Sequence, residues 1–141
     1  MPLPFRKRIV LSILWLIAAV CMGFVVSSID ENHGHAVFLR AGLYVGLSGG
    51  LGYLLLSCMP SFGRLDRLSR WMVNAAVAAL PAVAVFALNT WPPADQFRPG
   101  DVTFFYLIGG STVAFAFLGA FVVIRIETQW AKPAPDPLIR R

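Results

Sequence analysis

The residue types best suited to metal binding or proton transfer crowd one short polar segment, DENHGH, at residues 30–35. His33 and His35 are two residues apart, so on an extended segment their side chains face the same way, with Asp30 and Glu31 close by. A zinc site ordinarily needs three or four preset ligands, and this segment presets only two histidines. We therefore expect a polar turn without metal or cofactor. If the segment did bind a metal, His33 and His35 would be the candidate ligands.

One charged residue falls inside an otherwise apolar segment of the sequence. Arg40 lies about one helical turn from the start of the segment 37–59. A charge in the hydrocarbon of a membrane costs at least about 2.5 kcal/mol, and a long side chain avoids part of that cost by reaching the headgroups or an acidic partner. We predict an ion pair at the membrane rim between Arg40 and Asp101, with Asp30 as the alternative partner. No serine or cysteine has a base beside it in the sequence, so we predict no catalytic residue.

Three hydroxyl groups and one proline fall near the middle of the apolar segments. Pro81 removes the hydrogen bond that a carbonyl one turn earlier would accept, and in lipid that carbonyl needs another partner. One interpretation is a polar midplane pocket of the kind that transporters use, formed by Ser48, Pro81, Ser111 and Thr112. The alternative, which we favour, is that the hydroxyls bond to their own helices and Pro81 makes a kink.

Glycines are concentrated in the run GLYVGLSGGLG at residues 42–52. At about 100° per residue, four of them share one stripe of a helix, whereas Gly52 falls on another side. Small residues four apart let two helix backbones approach closely in lipid, where no hydrophobic effect drives helices together. We predict close helix packing along Gly42, Gly46, Gly49 and Gly50.

The overall composition places the elements that carry these residues in a membrane. The 141 residues are 57% hydrophobic and 13% charged, with a mean hydropathy of +0.70, whereas soluble proteins are about 25% charged. Four apolar segments are long enough to cross about 30 Å of hydrocarbon. They cover residues 9–29, 37–59, 71–91 and 102–124. We therefore predict an all-α, polytopic membrane protein with a four-transmembrane-helix bundle in residues 1–130 and a Pro-rich tail in residues 131–141.

Basic residues are distributed unevenly between the ends of these segments. Ten of the twelve Lys and Arg residues fall at one end, and only Arg40 and Arg98 fall at the other. Because positively charged loops remain in the cytoplasm, we predict cytoplasmic N- and C-termini in a bacterial-type inner (plasma) membrane. This asymmetry accounts for the net charge of +5, so we expect no nucleic-acid partner.

Three arginines recur at intervals of three in the stretch SFGRLDRLSRW, with leucines between them. Arg64, Arg67 and Arg70 suit a short amphipathic turn on the inner membrane surface. Anionic lipid headgroups would bind such a turn, and an acidic loop of a partner protein would serve equally.

Two functional classes remain open from the sequence. Small loops, no buried charge, helix faces lined by small residues and a free cytoplasmic tail are the features expected of a non-enzymatic accessory or assembly subunit. Such a subunit would contact the lipid bilayer and either a larger integral-membrane partner or copies of itself. The alternative is a small homo-oligomeric transporter or channel that uses the midplane hydroxyls. We expect the accessory subunit.

Overall fold

The computed structural model describes residues 3–29, 35–90 and 99–132 of the chain. The helices of this part are α1 (Phe5–Ile29), α2 (His35–Ser57), α3 (Pro60–Arg64), α4 (Arg67–Thr90) and α5 (Pro99–Trp130). All except α3 are long and apolar enough to cross a membrane. The predicted all-helical fold with four candidate membrane spans is therefore confirmed.

Three of the helices continue beyond the apolar segments at one end of the molecule. Helix α1 begins four residues before Ile9, α4 begins four residues before Trp71, and α5 continues six residues past Ile124. The length of an apolar segment indicates only the part of a helix that lies in the hydrocarbon of the membrane. The backbone hydrogen bonds of the helix can continue beyond it into the membrane–water interface. As a result, several charged side chains are held on helices rather than in loops.

We call this end of the molecule the basic end; α1 and α4 begin here, and α2 and α5 end here. Helix α3 also lies here, with Pro60 in its first turn and Phe62 buried. Asp66 then caps α4, since its carboxylate accepts hydrogen bonds from the backbone N–H groups of Leu68 (3.2 Å) and Ser69 (3.3 Å). The stretch expected to form one amphipathic turn is therefore divided between α3 and the start of α4.

Helix α2 has the central position among the long helices. It packs against α1, α4 and α5, and α5 also contacts α1 and α4. The interior contains large side chains such as Trp15, Phe38 and Tyr53 and small ones such as Ala75 and Ala116, all essentially without solvent exposure. Large residues on one helix thus lie opposite small residues on another, which is how close-packed interiors fill space.

The outward surface of the long helices is apolar. On α2 a leucine recurs at every fourth position, and each of these leucines is 42–66% exposed. They are Leu43, Leu47, Leu51 and Leu55. A stripe of exposed leucines is unfavourable in water but satisfied by lipid chains, so the surface agrees with the composition in indicating a membrane protein.

Candidate functional site

The closest approach between helices occurs where α1 crosses α2. A Cβ atom added to Gly42 would lie 2.5 Å from the carbonyl oxygen of Ala19, and one added to Gly23 would lie 2.6 Å from the carbonyl oxygen of Phe38. Both obstacles are backbone atoms, which cannot rotate away as a side chain can. The two helices are in contact through their backbones here, and only glycine fits at either position.

The other glycines of the predicted stripe also face α1. A Cβ atom at Gly46 would meet the backbone of Leu16 at 3.0 Å, and one at Gly50 would meet the carbonyl oxygen of Ser12 at 2.8 Å. The Ser12 hydroxyl in turn donates a hydrogen bond to the Gly50 carbonyl over 2.7 Å. Gly52 faces α4 instead, where the side chain of Val77 occupies the space of its missing Cβ.

Trp15 connects three helices through two glycines. Its indole ring lies against Gly49 of α2, at 2.8 Å from where a Cβ atom would be, and against Gly119 of α5 on another side. The residue is fully buried. Glycines at these two positions therefore provide the volume for the largest side chain of the interior. The indole Nε1 has no hydrogen-bond partner among the described residues.

The midplane hydroxyls all donate to backbone carbonyls. Ser111 donates to Leu107 and Thr112 to Ile108, each over 2.8 Å on the same helix. The Ser48 hydroxyl shares its proton between the carbonyl of Tyr44, at 2.8 Å on its own helix, and that of Ala78, at 2.7 Å on α4.

Ala78 lies three residues before Pro81, and Pro81 has no backbone N–H to donate within α4. Ser48 thus supplies α4 with a hydrogen bond from outside the helix close to this break. This role links α2 to α4 and uses the Ser48 hydroxyl for structure.

Ionisable side chains meet inside the basic end of the protein. Arg70 of α4 and Glu127 of α5 form an ion pair through Nη2 and Oε2, and their side chains are only 18% and 12% exposed. The guanidinium of Arg70 also lies over the ring of Phe62, 5.2 Å from its centroid. Arg70 is therefore held by α3 and α5, whereas the sequence placed it on the surface with Arg64 and Arg67, which are both exposed.

Arg8 covers the end of α2 from its position in the first turns of α1. It donates from Nη1 to the carbonyl of Ser57 over 2.6 Å and from Nε to the carbonyl of Leu3 over 2.9 Å. The last carbonyls of a helix have no partner within the helix and carry a partial negative charge, which a cation stabilises. Arg8 therefore acts as a cap supplied by a neighbouring helix.

A cleft of about 600 Å³ opens among these charged residues. Arg8, Arg70 and Glu127 line it together with Ser57, Cys58 and Thr128. Tyr53 and Asn74 are fully buried nearby, and neither the Tyr53 hydroxyl nor the Asn74 side-chain amide has a hydrogen-bond partner among the described residues. We call this charged cavity the basic cleft, and it is the candidate functional site in the described part of the molecule.

The other predicted site residues fall at or beyond the limits of the described part. His33 lies outside it, and for His35 and Asp101 the helix backbone is described but the side chains are not. Arg40 is exposed on α2. The metal hypothesis and the rim ion pair between Arg40 and Asp101 therefore remain predictions. Among described residues, no group of three or more His, Cys, Asp or Glu side chains is placed to hold a metal ion.

Sequence reasoning missed Arg8 and Glu127 as site residues, although one signal was present. The stretch RIETQW after Ile124 contains no glycine or proline, and the first proline follows at Pro133. A helix that continues through this stretch places Glu127 at the same end of the protein as Arg70. Ending α5 where its apolar run ends removed the carboxylate from consideration.

Comparison with known proteins adds no relative to this picture. No family model matches the chain, and searches of the curated proteins and of the solved structures give no match. Its class follows from its own helices, since four of them are long and apolar enough for a multi-pass membrane protein.

Proposed function

We propose that the protein is a non-enzymatic accessory or assembly subunit, held to a larger integral-membrane partner in a bacterial-type inner membrane. The observation that carries the proposal is an open small-residue surface on the outer half of α5. A Cβ atom added to Gly109 or Gly110 would meet no atom of the described residues within 4 Å. By contrast, Gly42, Gly46 and Gly119 all lie against neighbouring helices of the same chain.

The cost of glycine in a helix is what makes this surface informative. Each glycine destabilises a helix interior by about 1 kcal/mol relative to alanine, and a close helix contact can offset that cost. Gly109 and Gly110 have no such contact with the described residues of their own chain. Gly110 and Ala114 are both exposed and four residues apart, the spacing that admits the backbone of a second membrane helix. A helix of the partner fits this surface.

The distribution of charge supports an orientation for the subunit. The basic end would face the cytoplasm, so that both termini and the Pro-rich tail lie there, and the segments around residues 30–35 and 91–98 lie outside. The transporter alternative has less support, because the hydroxyls of Ser48, Ser111 and Thr112 already donate to backbone carbonyls.

Affinity purification at native expression level in a mild detergent, followed by mass spectrometry, tests the proposal. We expect one membrane protein to be recovered in a fixed ratio with the wild-type protein and to be lost with Gly110→Leu. The matched control is Cys21→Leu, which places the same side chain on an exposed position of α1 and should retain the partner. Recovery of the protein alone, as a monomer or homo-oligomer that moves solute across liposomes, would overturn the proposal in favour of the transporter.

A further inference from the structure

The charges that line the basic cleft do not balance. Arg8 and Arg70 contribute two positive charges from α1 and α4, and Glu127 of α5 contributes one negative charge. No other Lys, Arg, Asp or Glu side chain is among the described residues that line the cleft. The cleft therefore carries a net charge of +1.

The excess charge resides on Arg8, because Arg70 is paired with Glu127. Arg8 donates to the carbonyls of Leu3 and Ser57, which bear no formal charge, and its Nη1 also makes a long contact of 3.9 Å with the sulfur of Cys58. A guanidinium has five N–H donors in a fixed plane, and these three contacts through Nε and Nη1 leave Nη2 to bind a planar or tetrahedral anion.

Additional donors without a hydrogen-bond partner lie on Arg70, which lines the cleft, and on two buried residues that do not line it. The Nε of Arg70 is buried without a hydrogen-bond partner among the described residues. The hydroxyl of Tyr53 and the amide of Asn74, both fully buried, are in the same condition. The Tyr53 hydroxyl is also within electrostatic reach of Arg8, Arg70 and Glu127. The donors of Arg8 and Arg70 thus face a cavity in which Glu127 supplies the only negative charge among the described lining residues.

We propose that the basic cleft binds a phosphate group. Phosphate accepts several hydrogen bonds at once, and the donors of a guanidinium match its geometry as they match that of a carboxylate. The cleft lies where the four spans end at the basic end, so the headgroup of an anionic phospholipid and a soluble phosphorylated molecule both have access. These two sources share one chemistry and are separated by experiment.

Two measurements on the delipidated full-length protein in detergent distinguish the sources. Native mass spectrometry measures the binding of phosphatidylglycerol, with phosphatidylcholine for comparison, and thermal melting measures stabilisation by inorganic phosphate against chloride at equal ionic strength. Binding of phosphatidylglycerol without a shift from phosphate identifies a lipid headgroup. A shift from phosphate without lipid binding identifies a soluble ligand, and if both occur the tighter ligand identifies the source.

The variant Arg8→Gln removes the unpaired charge, and Arg64→Gln is the matched control. Arg64 lies at the same end of the molecule, is exposed, and does not line the cleft. We expect about tenfold weaker binding for Arg8→Gln, the loss of one charge-assisted contact, and a change within about twofold for Arg64→Gln. Equal weakening in both variants would mean general attraction to a basic surface and would overturn the proposal.

A second variant predicts a change in the opposite direction, which a merely misfolded protein cannot produce. Glu127→Gln removes the carboxylate and raises the net charge of the cleft, so it should bind the anion more tightly than the wild type. The unliganded variant should melt lower because Arg70 loses its partner, and the ligand should restore more of the lost stability. Failure of both phosphatidylglycerol and phosphate to bind the wild type, or weaker binding by Glu127→Gln, would refute the phosphate site.

Discussion

Adding one methyl group at Gly42 should force α1 and α2 apart. The new Cβ atom of Gly42→Ala would lie 2.5 Å from the carbonyl oxygen of Ala19 and 3.3 Å from the Cα atom of Gly23. Such contacts essentially never occur below 3.0 Å, so the helices must separate by at least 0.5 Å. A gap of that size forfeits about a quarter of the dispersion energy of each contact that it opens.

The same substitution at Gly110 isolates this effect. Gly110→Ala meets no described atom within 4 Å, so it gains the helix propensity of alanine, about 1 kcal/mol, without a clash against the described part of the chain. Propensity cancels when the two variants are compared, and overpacking of a tight interior costs about 1–3 kcal/mol. We therefore expect Gly42→Ala to be less stable than Gly110→Ala by about 1–3 kcal/mol.

Reversible unfolding of the purified protein in mixed micelles, followed by circular dichroism, measures this difference. A second pair tests the face of the helix rather than the size of the residue. A Cβ atom at Gly46 would meet the Leu16 side chain at 2.8 Å and the Leu16 backbone at 3.0 Å, whereas one at Gly52 would meet only the side chain of Val77. Because a backbone cannot rotate away, Gly46→Leu should destabilise the protein more than Gly52→Leu. Equal stabilities within both pairs would refute backbone contact along the α1–α2 seam.

Three further predictions concern the orientation, the α4 cap and the buried ion pair. In a background without native cysteines, single cysteines in the outer segments should react with an impermeant thiol reagent in intact cells, and those in the inner segments should not; the reverse pattern would overturn the orientation. The outer positions are Asn32 and Gln96, and the inner ones are Ser69 and Ala134. Hydrogen bonds from the Ser69 hydroxyl and N–H lower the pKa of Asp66 from its usual value of 3.8. This cap therefore stabilises the protein above that value and loses its effect as the pH falls through the lowered pKa, so the difference in melting temperature between wild type and Asp66→Ala should shrink from about pH 7 to about pH 3. A difference that stays constant over this range would contradict the assignment. Arg70→Leu should cost about 3–5 kcal/mol in denaturant unfolding by leaving Glu127 unpaired in the interior, and the double variant Arg70→Leu/Glu127→Leu should recover much of that loss. A double variant as unstable as the single one would show that the pair matters for packing rather than charge.

The sequence predicted the elements of this fold better than their ends. Apolar length is a direct consequence of membrane thickness, so the four spans could be found by counting residues. The glycine stripe could also be placed on one face, because helical periodicity fixes which residues share a side. Which helix that face meets is a tertiary property, and the contact with Ala19 and Leu16 of α1 required coordinates.

The basic cleft was beyond sequence reasoning for a related reason. Its charged residues come from the first turns of α1, the start of α4 and the end of α5, and they are separated by up to 119 positions along the chain. Each one alone resembles an ordinary interfacial charge. Arg70 is the clearest case, since its spacing from Arg64 and Arg67 indicates a surface stripe, whereas Glu127 and Phe62 hold it inside.

The positions of buried polar groups without a hydrogen-bond partner indicate where a bound ligand could stabilise this protein. Among the described residues, Trp15, Tyr53, Arg70 and Asn74 have buried side-chain atoms with neither a hydrogen-bond nor an ion-pair partner. All four lie in the half of the molecule toward the basic end. The hydroxyls near the midplane, in contrast, are bonded to backbone carbonyls. An unmet polar group costs about 1–3 kcal/mol when buried, and an incoming ligand or headgroup recovers that energy only where it can reach the group. The interior near the midplane therefore serves packing, and recognition of a polar ligand belongs at the basic end.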